Sequence, residues 1–268
     1  MFQSPCDVAF SIFGYDIKFY GVMLFFALVV GVAVCFFMAK KHFKSEIDLN
    51  LLLDFLPILV LSAILGARVY YVLFNFEYFS RHLIEIPAVW HGGISIHGAI
   101  LGGILAGIFY CRKHNISFLS YSDVISFGLV IGQAIGRWGN FFNSEAFGLP
   151  TELPWKLYIA PKFRPLDYYQ FDFFHPTFLY ESLWDILVFV ILYKIILKFR
   201  SDKKGVIFFS YLILYSIGRF FIENLRIDSI FSVVNLPLAQ VVSILTFLAG
   251  VVGLIFSCKK SNKKALEN

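Results

Sequence analysis

Long apolar segments recur throughout this chain and constrain its fold more than any other feature. About seven stretches of roughly 18 or more residues carry few charges, and each is long enough to cross about 30 Å of hydrocarbon as a helix. They cover residues 19–39, 51–74, 92–110, 124–142, 177–197, 206–222 and 238–256. The sequence therefore predicts an all-α integral membrane protein that forms a single polytopic domain, 1–268.

The composition agrees with a membrane protein. Hydrophobic residues make up 59% of the chain and charged residues only 15%, which is more apolar surface than a soluble core could bury. Residues 1–18 lack the positive n-region and the cleavage site of a signal peptide, so the first span is expected to remain as a helix. The four cysteines form no Cys-x-x-Cys pair and the histidines show no paired ligand spacing, so neither a disulfide framework nor a metal site is expected.

Basic residues in the connecting loops predict the orientation of the helices. The richer side of the membrane carries Lys40, Lys41, Lys44, Arg112, Lys113, Lys198, Arg200, Lys203, Lys204, Lys259, Lys260, Lys263 and Lys264. The opposite side carries only Lys18, Arg81, Lys156, Lys162, Arg164 and Arg226. The positive-inside rule places the richer side in the cytoplasm, with the N-terminus outside and the C-terminus inside. Since the basic residues are divided among short loops, no nucleic acid is expected as a partner.

One long outer connection, 143–176, is rich in proline and aromatic residues. It predicts a small folded head on the periplasmic side, between the fourth and fifth helices. Such aromatic segments either anchor a protein at the lipid interface or contact its substrate, and both interpretations stay open here.

Glycines in the third and fourth spans recur at four-residue intervals, as in Gly98 with Gly102 and Gly128 with Gly132 and Gly136. Small residues at this spacing let helix backbones approach closely. We interpret most of these glycines as packing positions.

Ionisable and polar side chains inside the predicted spans are the strongest pointers to function. A charge at the centre of a membrane helix costs roughly 2.5 to 3.5 kcal/mol, so such residues mark functional sites by default. The set comprises Arg68, His97, Arg137, Asn140, Arg219 and Glu223. Helical spacing places Gln133, Arg137, Asn140 and Ser144 on one face, and Tyr215, Arg219, Glu223 and Arg226 on another. Arg219 and Glu223 could form an i, i+4 ion pair, which leaves a purely structural role open.

The predicted orientation places these residues, together with Tyr20, toward the outer ends of five helices. Several cations then meet at headgroup depth, where only Glu223 and Glu145 obviously oppose them. This arrangement predicts an anion-binding pocket suited to a lipid phosphate.

Four strings in this order resemble the bacterial phosphatidylglycerol–prolipoprotein diacylglyceryl transferase family over nearly the whole chain. The strongest is GRWGNFFNSE at 136–145, followed by Phe147 and Gly148. The others are GGISIHG at 92–98, HPTFLYE at 175–181, and the segment 215–226 with its Tyr, Arg and Glu at four-residue intervals.

The resemblance implies a seven-helix enzyme of the bacterial cytoplasmic (inner) membrane that performs the first step of lipoprotein maturation. Its partners would be phosphatidylglycerol, the prolipoprotein signal peptide with its lipobox cysteine, and membrane lipid. The diacylglyceryl group would be joined to the cysteine thiol as a thioether, with release of glycerol phosphate and without a cofactor. The residues carried over from the family are Tyr20, His97, Arg137, Asn140, Asn143, Glu145, Gly148, Tyr215, Arg219 and Glu223.

Roles follow from the chemistry of displacement at a glycerol carbon, in which charge accumulates on the departing phosphate. We expect Arg137 and Arg219 to clamp that phosphate and His97 to accept the thiol proton, with Tyr215 or Glu223 as alternative acceptors. The other expected substrate contacts are made by Tyr20, Arg68, Asn140, Asn143, Glu145 and Gly148, where Glu145, like Glu223, could orient the arginines or the glycerol.

Two other classes of function stay open at this point. A lipid or small-anion transporter would also need buried cations, although its site should lie near the midplane and use broken helices. A lipid-binding scaffold without activity would use the polar face of the fourth span only for assembly.

Overall fold

The structure of this protein is a computed structural model, and it describes residues 2–198, 203–227, 232–233 and 236–267. Arg200, which contributes to the predicted orientation, lies outside the described residues. Most of the described chain is helical, which confirms the predicted all-α class. The α-helices are α1 (Phe19–His42), α2 (Leu49–Phe74), α3 (Phe76–Arg81), α4 (Ile96–Lys113), α5 (Phe118–Asn143), α6 (Thr177–Lys198), α7 (Val206–Glu223) and α8 (Leu238–Glu267).

Within the described residues, five helices are long and apolar enough to cross a membrane: α1, α2, α5, α7 and the Leu238–Lys259 part of α8. The predicted spans at 92–110 and 177–197 form α4 and α6, which are not among these five. α6 carries Glu181, Asp185 and Lys194 along its length, and these charges lower its mean hydropathy. The count of seven spans and their orientation therefore stay predictions.

Local chemistry sets where two of these helices begin. Asp48 caps the N-terminus of α2, since its side chain accepts hydrogen bonds from backbone N–H groups of the first turn. α4 begins at Ile96, and the predicted start at residue 92 was wrong. Gly92 and Gly93 have φ angles of 84° and 73°, which lie outside the helical region and are readily adopted only by glycine.

The chain divides into two compact units, Met1–Met38 with Ser122–Asn268, and Ala39–Tyr121. The interpretation of 1–268 as a single membrane domain stays a prediction.

In the unit Ala39–Tyr121, α2 and α4 pack with very close backbones. A Cβ atom added to Gly66 would meet the backbone oxygen of Gly98, and one added to Gly102 would meet that of Ser62. The packing interpretation of Gly98 and Gly102 is confirmed, because any larger side chain there would force the helices apart.

In the other unit, α1 approaches α5 through glycines in the same way. A Cβ atom added to Gly31 would lie 2.9 Å from the backbone oxygen of Gly128. α6 packs against α7, and α7 against α8. Trp184 of α6 donates its indole Nε1 to the backbone oxygen of Leu214 at 3.0 Å, which joins α6 and α7 inside an apolar region.

The segment predicted as a head contains short strands that pair with the N-terminus. Among the described residues, the strands are β1 (Phe2–Gln3), β2 (Val8–Ile12), β3 (Tyr15–Lys18), β4 (Leu157–Tyr158), β5 (Phe173–Phe174), β6 (Ser232–Val233) and β7 (Leu236–Pro237). β4 pairs with β5 in antiparallel register and with β1 in parallel register. Their core is Phe141, Phe147, Leu157, Ile159, Phe174 and Phe178. The sequence did not predict that the N-terminal residues complete this sheet.

β2 and β3 form an antiparallel hairpin directly before α1. Its turn residue Phe13 has φ 49° and is 97% exposed. β6 and β7 pair in antiparallel register, and β7 is followed directly by α8.

Candidate active site

A buried carboxylate on α6 holds arginines from two neighbouring helical segments. The side chain of Glu181 is 5% exposed, and its Oε2 accepts a hydrogen bond from Arg137 Nε of α5 at 2.7 Å. Its Oε1 accepts Arg219 Nη1 of α7 at 2.5 Å and lies 3.4 Å from Arg226 Nη1. Glu181 therefore fixes the relative positions of guanidinium groups that are far apart in sequence.

A second buried carboxylate, Glu223, lies on α7 beside the same arginines. Its Oε2 is 2.7 Å from Arg219 Nη2, one helical turn away, and 3.9 Å from Arg226 Nε. The predicted ion pair between Arg219 and Glu223 is confirmed. Arg219 thus bridges the two carboxylates with its two terminal nitrogens.

We call Arg137, Arg219, Arg226, Glu181 and Glu223 the arginine cluster. Its carboxylates are 5% and 4% exposed, whereas its arginines retain 22%, 18% and 11% exposure in the same order. Arginines outnumber carboxylates three to two within the cluster, and the arginines keep the larger exposed fractions. Such partly exposed, prepositioned guanidinium groups are suited to bind a phosphate through paired hydrogen bonds.

The start of α6 is anchored to the head by a chain of hydrogen bonds. Burial lowers the pKa of His175, so that its ring is neutral near pH 7. The Tyr180 hydroxyl lies 3.1 Å from His175 Nδ1 and accepts Trp155 Nε1 at 2.9 Å. These bonds fix the first turn of the helix that carries Glu181.

Residues on the polar face predicted for α5 contact different partners at successive turns of the helix. Toward the middle of α5, Gln133 Oε1 accepts the hydroxyl of buried Tyr211 at 3.0 Å. Arg137 follows one turn later with Glu181. Ser144 was wrongly placed on this face, because α5 ends at Asn143 and Ser144 has φ 52°.

Glu145 follows α5 in the chain, and its carboxylate contacts two side-chain amides. Asn140 Nδ2 donates to Glu145 Oε1 at 2.9 Å, and Asn143 Nδ2 lies 3.5 Å from the same oxygen. The positive φ angles of Ser144 and Ala146 turn the chain back over the end of α5 and allow these contacts. The Glu145 carboxylate thus binds side-chain amides, whereas the Glu223 carboxylate binds arginines.

Gly148 lies where the head crosses the end of α7. Its N–H donates to the backbone oxygen of His175 at 2.9 Å, and it pairs with Arg226 in an isolated antiparallel bridge. A Cβ atom added at this glycine would lie 2.7 Å from the backbone oxygen of Leu225. The absence of a side chain at Gly148 therefore allows the approach that positions Arg226.

Two predicted tyrosines, Tyr20 and Tyr215, lie in the same unit. The ring of Tyr20, at the start of α1, packs on Gly139, where an added Cβ would be 2.9 Å from its Cδ2. This places Tyr20 beside the residue that precedes Asn140. The ring of Tyr215 on α7 lies 5.9 Å from that of Tyr211.

An apolar groove of about 420 Å³ lies between α6 and α7. It is lined by Tyr180, Leu183, Trp184, Leu187, Gly218, Phe221, Ile222 and Leu225. Several of these residues are next to Glu181 or Arg219 in sequence, so the groove and the arginine cluster share the N-terminal part of α6 and the C-terminal part of α7.

Arg68 belongs to the unit Ala39–Tyr121, where it binds backbone oxygens. Its Nε donates to Ile86 at 2.8 Å, its Nη1 to Gly92 and Gly93 at 2.7 Å each, and its Nη2 to Glu85 at 2.5 Å. The side chain is buried and organises the loop before α4. Its role as a substrate contact stays a prediction, and these bonds occupy most of its donors.

His97 lies in the same unit, in the first turn of α4, because that helix begins at Ile96. The sequence placed it inside an apolar span, and the later helix start moves it to the helix end. Its ring is exposed and lies 6.0 Å from that of Tyr70. The structure leaves this ring accessible.

A model of a known protein family, described as Prolipoprotein diacylglyceryl transferase, matches residues 7–256 of the chain. The chain belongs to this family. A phosphatidylglycerol–prolipoprotein diacylglyceryl transferase of Acaryochloris marina is 47% identical over 254 residues, which cover 95% of this chain and 91% of that protein. Proteins of the same name are 46% identical in a Nostoc species, over 95% of this chain and 90% of that protein, and 40% identical in Prochlorococcus marinus, over 99% and 97%.

Family membership and the apolar helices together make this chain a multi-pass membrane protein. Within the described residues, no three His, Cys, Asp or Glu side chains come together as a metal site would require.

Sequence reasoning did not select Glu181 and Arg226 as site residues, although both lay in the strings that carry the family resemblance. A signal was present, since Glu181 is an acidic residue inside an apolar span and Arg226 follows Glu223 at helical spacing. The sequence alone did not show that Glu181 faces the arginines of other helices.

Proposed function

We propose that this protein transfers the diacylglyceryl group of phosphatidylglycerol to the lipobox cysteine of prolipoproteins, in the bacterial cytoplasmic membrane. The relatives carry this activity in their name, and the chain matches them over nearly its full length. The observation that carries the proposal is the arginine cluster, whose prepositioned and partly exposed guanidinium groups suit a lipid phosphate. Family membership favours transfer over the alternative of lipid or small-anion transport.

In this reaction the cysteine sulfur attacks the glycerol carbon that carries the phosphate. A carbon–sulfur bond forms, the carbon–oxygen bond breaks, and glycerol phosphate leaves with the electron pair. Negative charge therefore grows on the phosphate. Arg137 and Arg219 stabilise that charge, and removing one such preorganised donor typically costs about 2.7 to 4 kcal/mol of transition-state stabilisation.

The buried carboxylates position these arginines. Because Glu181 and Glu223 hold them before the substrate arrives, little reorganisation is needed during the reaction. Asn140 and Asn143 are held beside Glu145, where their amides can bind headgroup hydroxyls. Tyr20 and Gly148 complete the substrate-binding set that we propose.

The proton of the thiol must leave for the sulfur to attack. We assign the role of proton acceptor to His97, with Tyr215 or Glu223 as alternative acceptors. A free thiol with a pKa of about 8.5 is only a few per cent ionised at pH 7, so a base can recover about 2 kcal/mol at most. The contribution of the base is thus smaller than that of the arginines.

The groove between α6 and α7 offers a place for the apolar part of the lipid. Its lining is formed almost entirely by aliphatic and aromatic side chains. An acyl chain in this groove would bring the headgroup close to the arginine cluster, because the groove and the cluster share the N-terminal part of α6 and the C-terminal part of α7.

The proposal is tested by incubating the purified protein with phosphatidylglycerol and a lipobox peptide. Formation of a thioether-linked diacylglyceryl peptide, together with glycerol phosphate, is expected. A peptide in which serine replaces the lipobox cysteine is the matched control and should remain unmodified. Lipid movement across vesicles without any peptide product would instead support a transporter.

A further inference from the structure

A third buried carboxylate lies one turn along α6 from Glu181. Asp185 is 2% exposed, and its Oδ2 has no hydrogen-bond partner among the described residues. It interacts electrostatically with Arg137 and with Tyr211. Burying a carboxylate oxygen without a hydrogen bond costs free energy, and the attraction to Arg137 is the favourable interaction that opposes this cost.

Asp185 changes the charge balance at the arginine cluster. Without it, the three arginines face two buried carboxylates, Glu181 and Glu223. When Asp185 is ionised, the three guanidinium groups face three carboxylates. Glu145 adds little to this balance, because it is exposed to solvent and its carboxylate holds amides.

We propose that Asp185 weakens phosphate binding at the arginine cluster, and weakens it more for the product than for the substrate. This inference rests on the proposed function, which supplies the two ligands. Phosphatidylglycerol is a phosphodiester with one negative charge, whereas glycerol phosphate is a monoester that carries nearly two at pH 7. Since Coulomb energy is proportional to the charge of the ligand, Asp185 repels the product about twice as strongly. Asp185 is thereby a specificity-determining residue that favours product release.

The test compares Asp185→Asn with the wild-type full chain in detergent. Binding of short-chain phosphatidylglycerol and of glycerol phosphate is measured by calorimetry at mildly alkaline pH, where Asp185 is ionised, and this measurement needs no turnover. In Asp185→Asn both dissociation constants should fall. We expect a decrease of about threefold for the lipid and about ninefold for glycerol phosphate, because glycerol phosphate carries twice the charge of the lipid. Asp185→Glu should restore wild-type values, and Glu152→Gln, which removes an exposed charge in the head, should leave both constants unchanged.

Equal affinities in wild type and Asp185→Asn would overturn the inference, as would equal changes for both ligands. Asp185→Ser provides a second neutral variant if Asp185→Asn does not accumulate. If neither neutral variant accumulates while Asp185→Glu does, Asp185 is a folding residue and the inference is also overturned. A wild-type protein that binds both ligands but forms no lipidated peptide would contradict the proposed function, while the ratio of affinities would still decide the role of Asp185.

Discussion

Arg137 Nε lies 2.7 Å from Glu181 Oε2, and this contact joins α5 to α6 inside an apolar bundle. The same carboxylate reaches Arg219 of α7 through its other oxygen. One acidic residue therefore sets the spacing of the arginines that we assign to phosphate binding. We therefore expect substitution of the arginine to lower activity and substitution of Glu181 to lower stability.

Replacing either clamp arginine by lysine should abolish most activity. In Arg137→Lys and Arg219→Lys an ammonium keeps the charge but cannot bind phosphate with two parallel hydrogen bonds. We expect turnover to fall about 10² to 10³-fold, measured as thioether formation per mole of purified protein.

The control for these variants is Arg81→Lys, since Arg81 is exposed and pairs only with exposed Glu77 among the described residues. It should behave as wild type. Near-normal turnover in both cluster variants would remove the clamp hypothesis. Reduced accumulation in the membrane would point instead to a structural role for the Arg219–Glu223 pair.

Neutralising Glu181 should destabilise the protein itself. Glu181→Gln leaves the arginine cluster with less negative charge to compensate its cations, and breaking a buried ion pair by removing one partner costs about 3 to 5 kcal/mol. We expect a clearly lower apparent melting temperature in detergent.

Glu152→Gln is the matched control, because Glu152 is 88% exposed and its pair with Lys156 is at the surface. Exposed pairs contribute about 0 to 1 kcal/mol, so this variant should melt nearly like wild type. Equal melting of the two variants would mean that Glu181 does not hold the cluster together.

The role proposed for His97 predicts a change in pH dependence. Without a base, attack needs thiol that has already ionised in solution, and this fraction rises with pH toward the thiol pKa of about 8.5. His97→Asn should therefore be slow near neutrality and recover relative to wild type as the pH rises. The rate profile from mildly acidic to alkaline pH provides the measurement.

Exposed His82, whose Nδ1 lies 3.0 Å from the backbone oxygen of Tyr78, offers a comparison variant, His82→Asn, which should keep the wild-type profile. A His97→Asn enzyme with the same fractional activity at every pH would exclude His97 as the base and leave it a positioning or packing role.

The predicted orientation can be tested with protease on spheroplasts. A tag after Asn268, which lies outside the described residues, should be protected, because the basic loops place the C-terminus in the cytoplasm. A tag inserted at Leu166 in the head, where the side chain is 90% exposed, should be cleaved. Cleavage of the C-terminal tag in intact spheroplasts would contradict the topology and weaken the proposed placement of the site.

Local features of this protein could be predicted from the sequence. The apolar segments determined a helical membrane protein, since a helix satisfies its own backbone hydrogen bonds in lipid. The ion pair of Arg219 and Glu223 also followed, because residues four apart in a helix are always neighbours. The close packing of Gly98 and Gly102 against α2 agreed with their spacing for the same reason.

Contacts between distant segments were decided only by the tertiary structure. Glu181 is 38 residues from Arg219 and 45 from Arg226, so no periodic pattern relates them. The helix start at Ile96 depended on the φ angles of two glycines, and the addition of β1 to the head depended on strand pairing across the length of the chain. Sequence spacing specifies which face of a helix a residue occupies, but the partner of that face is set by how the helices pack. For this reason Arg137 and Arg219 could be selected in advance, whereas Glu181, which joins them, could not.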